Sequence, residues 1–129
     1  MSDFIWLQRD IVLALYTEQI AEHGGTEGPR DEGLLDGALA RPQNLFAYSA
    51  ISIFDLAAAY GFGIAQNHPF VDGNKRTCFL AAATFLYLNG YEVETTQIDV
   101  VETILDLAGG KIAEADFARW LEAVCVPIS

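Results

Sequence analysis

The chain contains two segments, residues 52–67 and 73–89, in which apolar side chains fall on nearly every face of a helix. A helix without a polar face is buried on all sides, so other elements must surround these two. Only residues 68–72 separate them, and His68 precedes Pro69, which disfavours the helical conformation for the residue before it. This pattern predicts an all-α fold in which two central helices meet at a short loop.

Four further helical segments are predicted to surround that pair, over residues 8–22, 31–40, about 96–108 and 114–124. Asp31 is placed to cap the helix over 31–40, and Pro42 lies just beyond the predicted end of that helix. Thr96 and Asp99 resemble a capping box for the helix that ends near Ala108.

The connecting segments carry turn signals. Gly24 and Gly25 stop the first helix and open a polar, glycine-rich loop that contains Pro29 and runs to Arg30. Residues 91–95 are expected to form a short extended flap. We therefore predict one domain over residues 1–129, an all-α compact bundle of about six helices.

Composition excludes several classes of protein. The net charge of −11 argues against a protein that binds nucleic acid through its overall charge. It argues equally against one that binds an anionic membrane surface. The longest apolar stretch, residues 78–88, is too short to cross a bilayer, and no signal peptide is visible, so we expect a cytoplasmic protein. Cys78 and Cys125 stand 47 residues apart without a metal-binding spacing, which favours two reduced, packed thiols.

The loop between the two buried helices has the features of a phosphate site. Asp72 is expected at the N-cap of the second helix, and Gly73 and Asn74 supply a tight turn with free backbone N–H groups. Lys75 and Arg76 follow in the first helical turn, where cations oppose the positive end of the helix dipole. A bound anion would compensate for that mismatch, so we predict a phosphate here.

Catalytic chemistry is also available at this loop. His68 is suited to act as a general base, and Asp72 to hold Mg²⁺ together with substrate phosphates. Each residue has an ordinary alternative: His68 as a structural histidine, Asp72 as a plain cap, Lys75 and Arg76 as a solvated first turn. Their coincidence within nine residues favours the functional interpretation.

Two other interpretations fit less well. Residues 73–77 lack the glycine-lysine order and the preceding strand of a P-loop. His68 and Asp72 could be two ligands of a transition metal, but no second histidine or cysteine lies near them in the sequence.

The run His-Pro-Phe-Val-Asp-Gly-Asn-Lys-Arg-Thr, residues 68–77, closely resembles the motif of the Fic/Doc family, specifically its death-on-curing (Doc) toxin branch. The likeness extends over nearly the whole chain, to residues 24–25, 30–35, 40–43 and 89–90. It implies a compact helical bundle around the motif, a cytoplasmic toxin of a toxin–antitoxin system, and ATP and Mg²⁺ as cosubstrate and cofactor.

The resemblance also implies a role for each residue of the loop. His68 would deprotonate a Ser or Thr hydroxyl of a target protein, and Asp72 would be the Mg²⁺ carboxylate. Asn74, Lys75 and Arg76 would contact nucleotide phosphates, and Gly73 would let the backbone approach them. Pro69 and Phe70 would be scaffold, with Phe70 anchoring the loop in the core.

Two departures from the family's AMP-transferring members match the Doc branch. Those members have glycine where this chain has Lys75, and a second arginine where it has Phe79. Doc toxins resemble kinases in activity and phosphorylate a threonine of elongation factor Tu. Many Fic proteins also carry an inhibitory motif, Ser/Thr-x-x-x-Glu, which this sequence lacks, so the resemblance implies an antitoxin protein acting in trans.

Three hypotheses follow. The first is a Doc-like toxin that phosphorylates a protein hydroxyl with Mg-ATP. The second is a protein AMP- or nucleotidyl-transferase that uses the same loop. The third is an inactive module that binds an antitoxin, against which the intact His68 and Asp72 argue.

Overall fold

The computed structural model describes residues 4–28, 30–49 and 51–129. The elements in chain order are α1 (Arg9–His23), α2 (Glu32–Tyr48), α3 (Ile53–Asn67), α4 (Asn74–Leu88), β1 (Tyr91–Val93), α5 (Gln97–Ala108), α6 (Glu114–Val124) and β2 (Cys125–Pro127). The predicted all-α bundle of about six helices is therefore confirmed. Pro29, which the sequence places in the loop after α1, lies outside the described residues.

Helix α3 lies at the centre of the bundle, as its apolar sequence predicts. Ser52 and Asp55 form a capping box at its start, and its residues Leu56 to Tyr60 are all buried. Helices α2, α4 and α6 pack around it. The packing is close, since a Cβ on Gly63 would lie 3.1 Å from the Ala38 Cα of α2.

Helix α4 is the second buried helix, and α1 and α5 pack on its outer side. Its core-facing residues, including Cys78, Ala81, Phe85 and Leu86, are fully buried. The Phe85 ring contacts the rings of Tyr60, Phe4 and Trp6, which ties α4 to α3 and to the segment before α1. Helices α3 and α4 therefore form a rigid pair on which the connecting loop is held.

The prediction for α2 was wrong about where the helix ends. Asp31 does cap the helix, accepting a hydrogen bond from the Leu34 N–H at 2.9 Å, but α2 runs through Pro42 to Tyr48. A proline inside a helix loses one backbone hydrogen bond and crowds the preceding turn, at a cost of about 3 kcal/mol. Tertiary contacts compensate: Pro42 is buried, and both guanidinium NH groups of Arg41 donate to the Glu114 carboxylate at 2.5 Å.

The extended flap is confirmed over Tyr91–Val93, and it pairs with a strand that the sequence analysis did not predict. Strand β2, Cys125–Pro127, runs antiparallel to β1, with Glu92 opposite Val126. Thr96 caps α5 as expected, accepting from the Asp99 N–H at 3.1 Å. In a full capping box the Asp99 carboxylate would accept from the Thr96 N–H. Here it accepts from Thr95 Oγ1 and Trp120 Nε1 instead.

No helix in the described ranges is long and apolar enough to cross a membrane.

Candidate active site

The loop between α3 and α4 begins with a strained residue. Helix α3 ends at Asn67, as the following proline predicts, and His68 is its C-cap in the left-handed conformation, with φ 48° and ψ 57°. Among the described residues it is the only non-glycine with positive φ, a conformation that costs about 1–2 kcal/mol. The His68 side chain is exposed. Strain of this kind is concentrated at functional sites, where the surrounding structure enforces it.

The next two residues anchor the loop in the core. Phe70 is buried, and its ring stacks on that of Tyr16 in α1 at a centroid distance of 4.0 Å and an interplanar angle of 7°. The backbone carbonyl of Pro69 accepts a hydrogen bond from the Asp31 N–H at 2.8 Å. The loop is therefore fixed to α1 and to the start of α2, and Phe70 lies where the resemblance implied, in the core.

Asn74 also holds the loop. Its side-chain Oδ1 accepts from the Phe70 N–H at 3.1 Å, and its Nδ2 donates to the Phe70 carbonyl at 2.9 Å. With 8% of its surface exposed, this amide is a buried clamp across the loop. Both polar atoms of the side chain are therefore occupied. The predicted contact with phosphate would be made by the backbone N–H of Asn74, at the first position of α4, and it stays a prediction.

Asp72 does not cap α4, contrary to the prediction. The N-cap is Gly73, in the left-handed conformation with φ 80° and ψ 11°, and it provides no side-chain cap. Asp72 lies one residue too early to reach the first-turn N–H groups, and its Oδ1 accepts from the Gly73 N–H at 2.8 Å instead. Its Oδ2 lies under the loop after α1, where Thr26 N–H approaches at 3.4 Å.

The N-terminus of α4 is consequently open. The Thr77 N–H bonds to the Gly73 carbonyl at 3.0 Å, and the N–H groups of the three residues before it have no side-chain cap. Such N–H groups carry the positive end of the helix dipole and bind anions.

Two cations flank this helix end. Lys75 and Arg76 are exposed and form no ion pair within the described part of the chain. The other four arginines, Arg9, Arg30, Arg41 and Arg119, each pair with a carboxylate. In a chain of net charge −11, two unpaired cations at a helix N-terminus are the arrangement that a bound anion would stabilise.

A cavity of about 1120 Å³ brings all the predicted site residues together. It lies between α1, α4, β1 and α5, and one end of it is lined by His68, Asp72, Gly73, Asn74, Lys75 and Arg76. The other end is largely apolar, with Leu80, Val100 and Ile104 among its walls. The polar end offers donors for a phosphate group, and the apolar end can contact a larger part of a ligand or a partner.

Helix α1 contributes to the site in a way that the sequence did not predict. Tyr16 and Gln19 are buried on the face of α1 that meets the loop, and the Gln19 carboxamide has no partner among the described residues. Burial, followed by the charge of Glu27, raises the pKa of Tyr16, and the backbone of Gly28 opposes that shift. The sequence did contain a signal for this. Gln19 is a polar residue on the helical face that carries the apolar Val12 and Ile20, and a polar residue on a buried face indicates a special role.

The thiols are structural, as predicted. Both cysteines are free, and burial raises the pKa of Cys78 to about 12 and that of Cys125 to about 11. Neither forms the thiolate that nucleophilic catalysis needs at neutral pH.

Two comparisons with known proteins cover this site. The family model described as the Fic/DOC family matches residues 6–86, which include α1, the loop and most of α4. The chain is also 38% identical over 114 residues to the protein named Toxin Doc of Mycolicibacterium smegmatis, an alignment that spans 86% of this chain and 85% of that protein.

Proposed function

Because the chain belongs to the Fic/DOC family, we propose that it is the toxin of a toxin–antitoxin system, a transferase that moves the γ-phosphoryl group of Mg-ATP to a hydroxyl of a protein. The observation that carries this proposal is the pairing of an exposed histidine with an open, cation-flanked helix N-terminus at one end of one cavity. The family resemblance names elongation factor Tu as the kind of target such a toxin phosphorylates.

The nucleotide phosphates would bind at the N-terminus of α4. Phosphate oxygens accept hydrogen bonds from the open backbone N–H groups, and Arg76 and Lys75 neutralise their charge. Gly73, whose lack of a side chain permits the left-handed turn, would bring the backbone at the helix N-terminus to the ligand. The buried Asn74 clamp orients the start of α4, and fixed orientation of donors is a condition for electrostatic stabilisation of a transition state.

His68 would act as the general base. The target hydroxyl gives its proton to the imidazole as its oxygen forms a bond to the γ-phosphorus, the bond from that phosphorus to the bridging oxygen breaks, and ADP leaves. The strained backbone holds His68 at the rim of the cavity, where an incoming protein hydroxyl can reach it.

Asp72 fits a magnesium site better than a transition-metal site. No three His, Cys, Asp or Glu side chains come together in the described residues, so no all-protein cage for a metal is present there. Mg²⁺ usually binds through one or two carboxylates plus substrate phosphates, which Asp72 and the adjacent helix end would supply. The ion would neutralise charge on the phosphates.

Lys75 and Phe79 favour phosphoryl over nucleotidyl transfer. A lysine in place of glycine occupies the room that the β- and γ-phosphates need when the α-phosphorus faces the base. The Phe79 ring, where AMP-transferring relatives have a second arginine, packs edge-on against Trp120 with centroids 6.3 Å apart, so no phosphate clamp exists at this position. Transfer of AMP through the same loop is the second candidate.

Labelled ATP separates the two reactions. We expect label to pass from [γ]-labelled ATP to a protein in a bacterial lysate when this protein and Mg²⁺ are added, and not from [α]-labelled ATP. The controls are the lysate alone and the lysate with His68→Ala. Label from the α position only would contradict the kinase proposal and support nucleotidyl transfer.

We also propose an antitoxin protein as partner, because the homologous protein is named as a toxin and this sequence has no inhibitory motif of its own. The apolar end of the cavity, with exposed Val101 and Leu105 on α5, would accept an amphipathic segment of that protein. Co-purification with the product of the adjoining reading frame is expected, and Leu105→Glu should weaken it. A protein that stays free in that co-expression would contradict the proposal.

A further inference from the structure

Gln19 is a buried polar side chain to which no described residue offers a hydrogen bond. It is 2% exposed, and neither its Nε2 nor its Oε1 is paired among the described residues. A buried amide that makes no hydrogen bond is costly, and such groups in native structures usually have a functional explanation or an ordered water.

The carboxamide is directed at the candidate phosphate site. A Cβ placed on Gly73, the N-cap of α4, would collide with Nε2 of Gln19. Gln19 also lines the cavity together with Asp72, Lys75 and Arg76. The amide therefore packs against the Cα of Gly73, at the start of α4, and a glycine at position 73 is what allows the two to meet.

Backbone N–H groups and a carboxamide N–H share one kind of partner, an oxyanion with several acceptor atoms. No carboxylate among the described residues accepts from Gln19, although Asp72, Glu18 and Glu22 line the same cavity. We propose that Gln19 is a phosphate-binding residue, whose Nε2 donates to the same phosphate that the α4 N-terminus binds. The inference rests on the proposed function.

Contact with phosphate requires a local movement, because both amide atoms of Gln19 are covered. The side chain, or the turn at Asp72 and Gly73 on which it packs, would shift to admit the phosphate. The unpaired amide destabilises the free protein, and the ligand removes that penalty by supplying the missing acceptor.

Gln19→Met tests the inference because methionine has a similar length and no amide. We expect a dissociation constant for Mg-ATP about tenfold higher than that of the parent by calorimetry, together with a melting temperature about 3 °C higher. The matched control is Leu13→Met, on the same helix and packed on the core outside the cavity lining, which should leave binding unchanged. A structural role, with water bonded to the amide, predicts unchanged binding and no gain in stability.

Gln19→Glu provides a second variant, since it keeps the shape and replaces the donor by a negative charge. Its binding of Mg-ATP should be weaker than that of Gln19→Met. If the parent binds Mg-ATP and both variants bind it equally well, the inference is wrong and the proposed function is unaffected. If the parent binds no Mg-ATP, the phosphoryl-transfer proposal fails, and the assignment of Gln19 fails with it.

Discussion

His68→Ala is expected to relieve growth arrest in bacteria and to lower the rate of phosphoryl transfer by about 10²–10⁴-fold. The imidazole is the only general base that the loop presents at the rim of the cavity with no hydrogen-bond partner among the described residues. The variant should remain folded, because the side chain is exposed and alanine pays a similar cost for the left-handed backbone. Growth curves measure the relief of arrest, and transfer of label from [γ]-labelled ATP measures the rate. Thermal melting of the purified variant checks that it is folded.

The chain offers a matched control for that experiment. His23, the other of its two histidines, is exposed at the end of α1 and lines the same cavity, so it tests whether a second imidazole there matters; His23→Ala should arrest growth like the parent. His68→Asn adds a second test, since asparagine tolerates positive φ and has no base at neutral pH. An alanine variant that arrests growth as strongly as the parent would show that His68 is not the base.

Arg76→Ala is expected to raise the dissociation constant for ATP by at least about tenfold, with or without Mg²⁺, because it removes a charged contact to phosphate. Asp72→Ala should weaken binding by a similar factor only when Mg²⁺ is present. In EDTA it should bind no worse than the parent, since it removes a negative charge from the site.

Calorimetric titrations in Mg²⁺ and in EDTA measure these differences. Lys111→Ala is the control, because Lys111 is an exposed cation between α5 and α6 that forms no ion pair within the described residues. If the Arg76 and Asp72 variants both bind ATP with the same affinity as the parent in both buffers, the phosphate site does not lie at the loop.

Local sequence signals were sufficient for the two central helices and for the loop. Buried helices have no polar face, and a residue before proline leaves the helix, so α3 and the position of His68 could be predicted. The same rule failed at Pro42, because the ion pair of Arg41 with Glu114 and the burial of the proline ring are tertiary contacts with no local signal. Strand β2 was missed for a similar reason, since the strand with which it pairs, β1, is far away in sequence.

At the candidate site, too, the features set by local sequence could be predicted and those set by tertiary contacts could not. The anion-binding helix end and its cations could be predicted from residues 73–76, because dipole and charge are local properties. The exact N-cap could not, since Gly73 adopts the left-handed conformation and displaces Asp72 from the cap. Gln19 lies 54 residues before Gly73 in the sequence, and only the packing of α1 against the loop brings them together.

The central claim is that nucleotide phosphate binds at the N-terminus of α4. The most direct measurement is a titration of the isotope-labelled protein with Mg-ATP, followed through its backbone amide resonances. We predict the largest shifts at Gly73, Asn74, Lys75 and Arg76. Saturable shifts centred on another part of the chain, with the α4 amides unmoved, would contradict the claim.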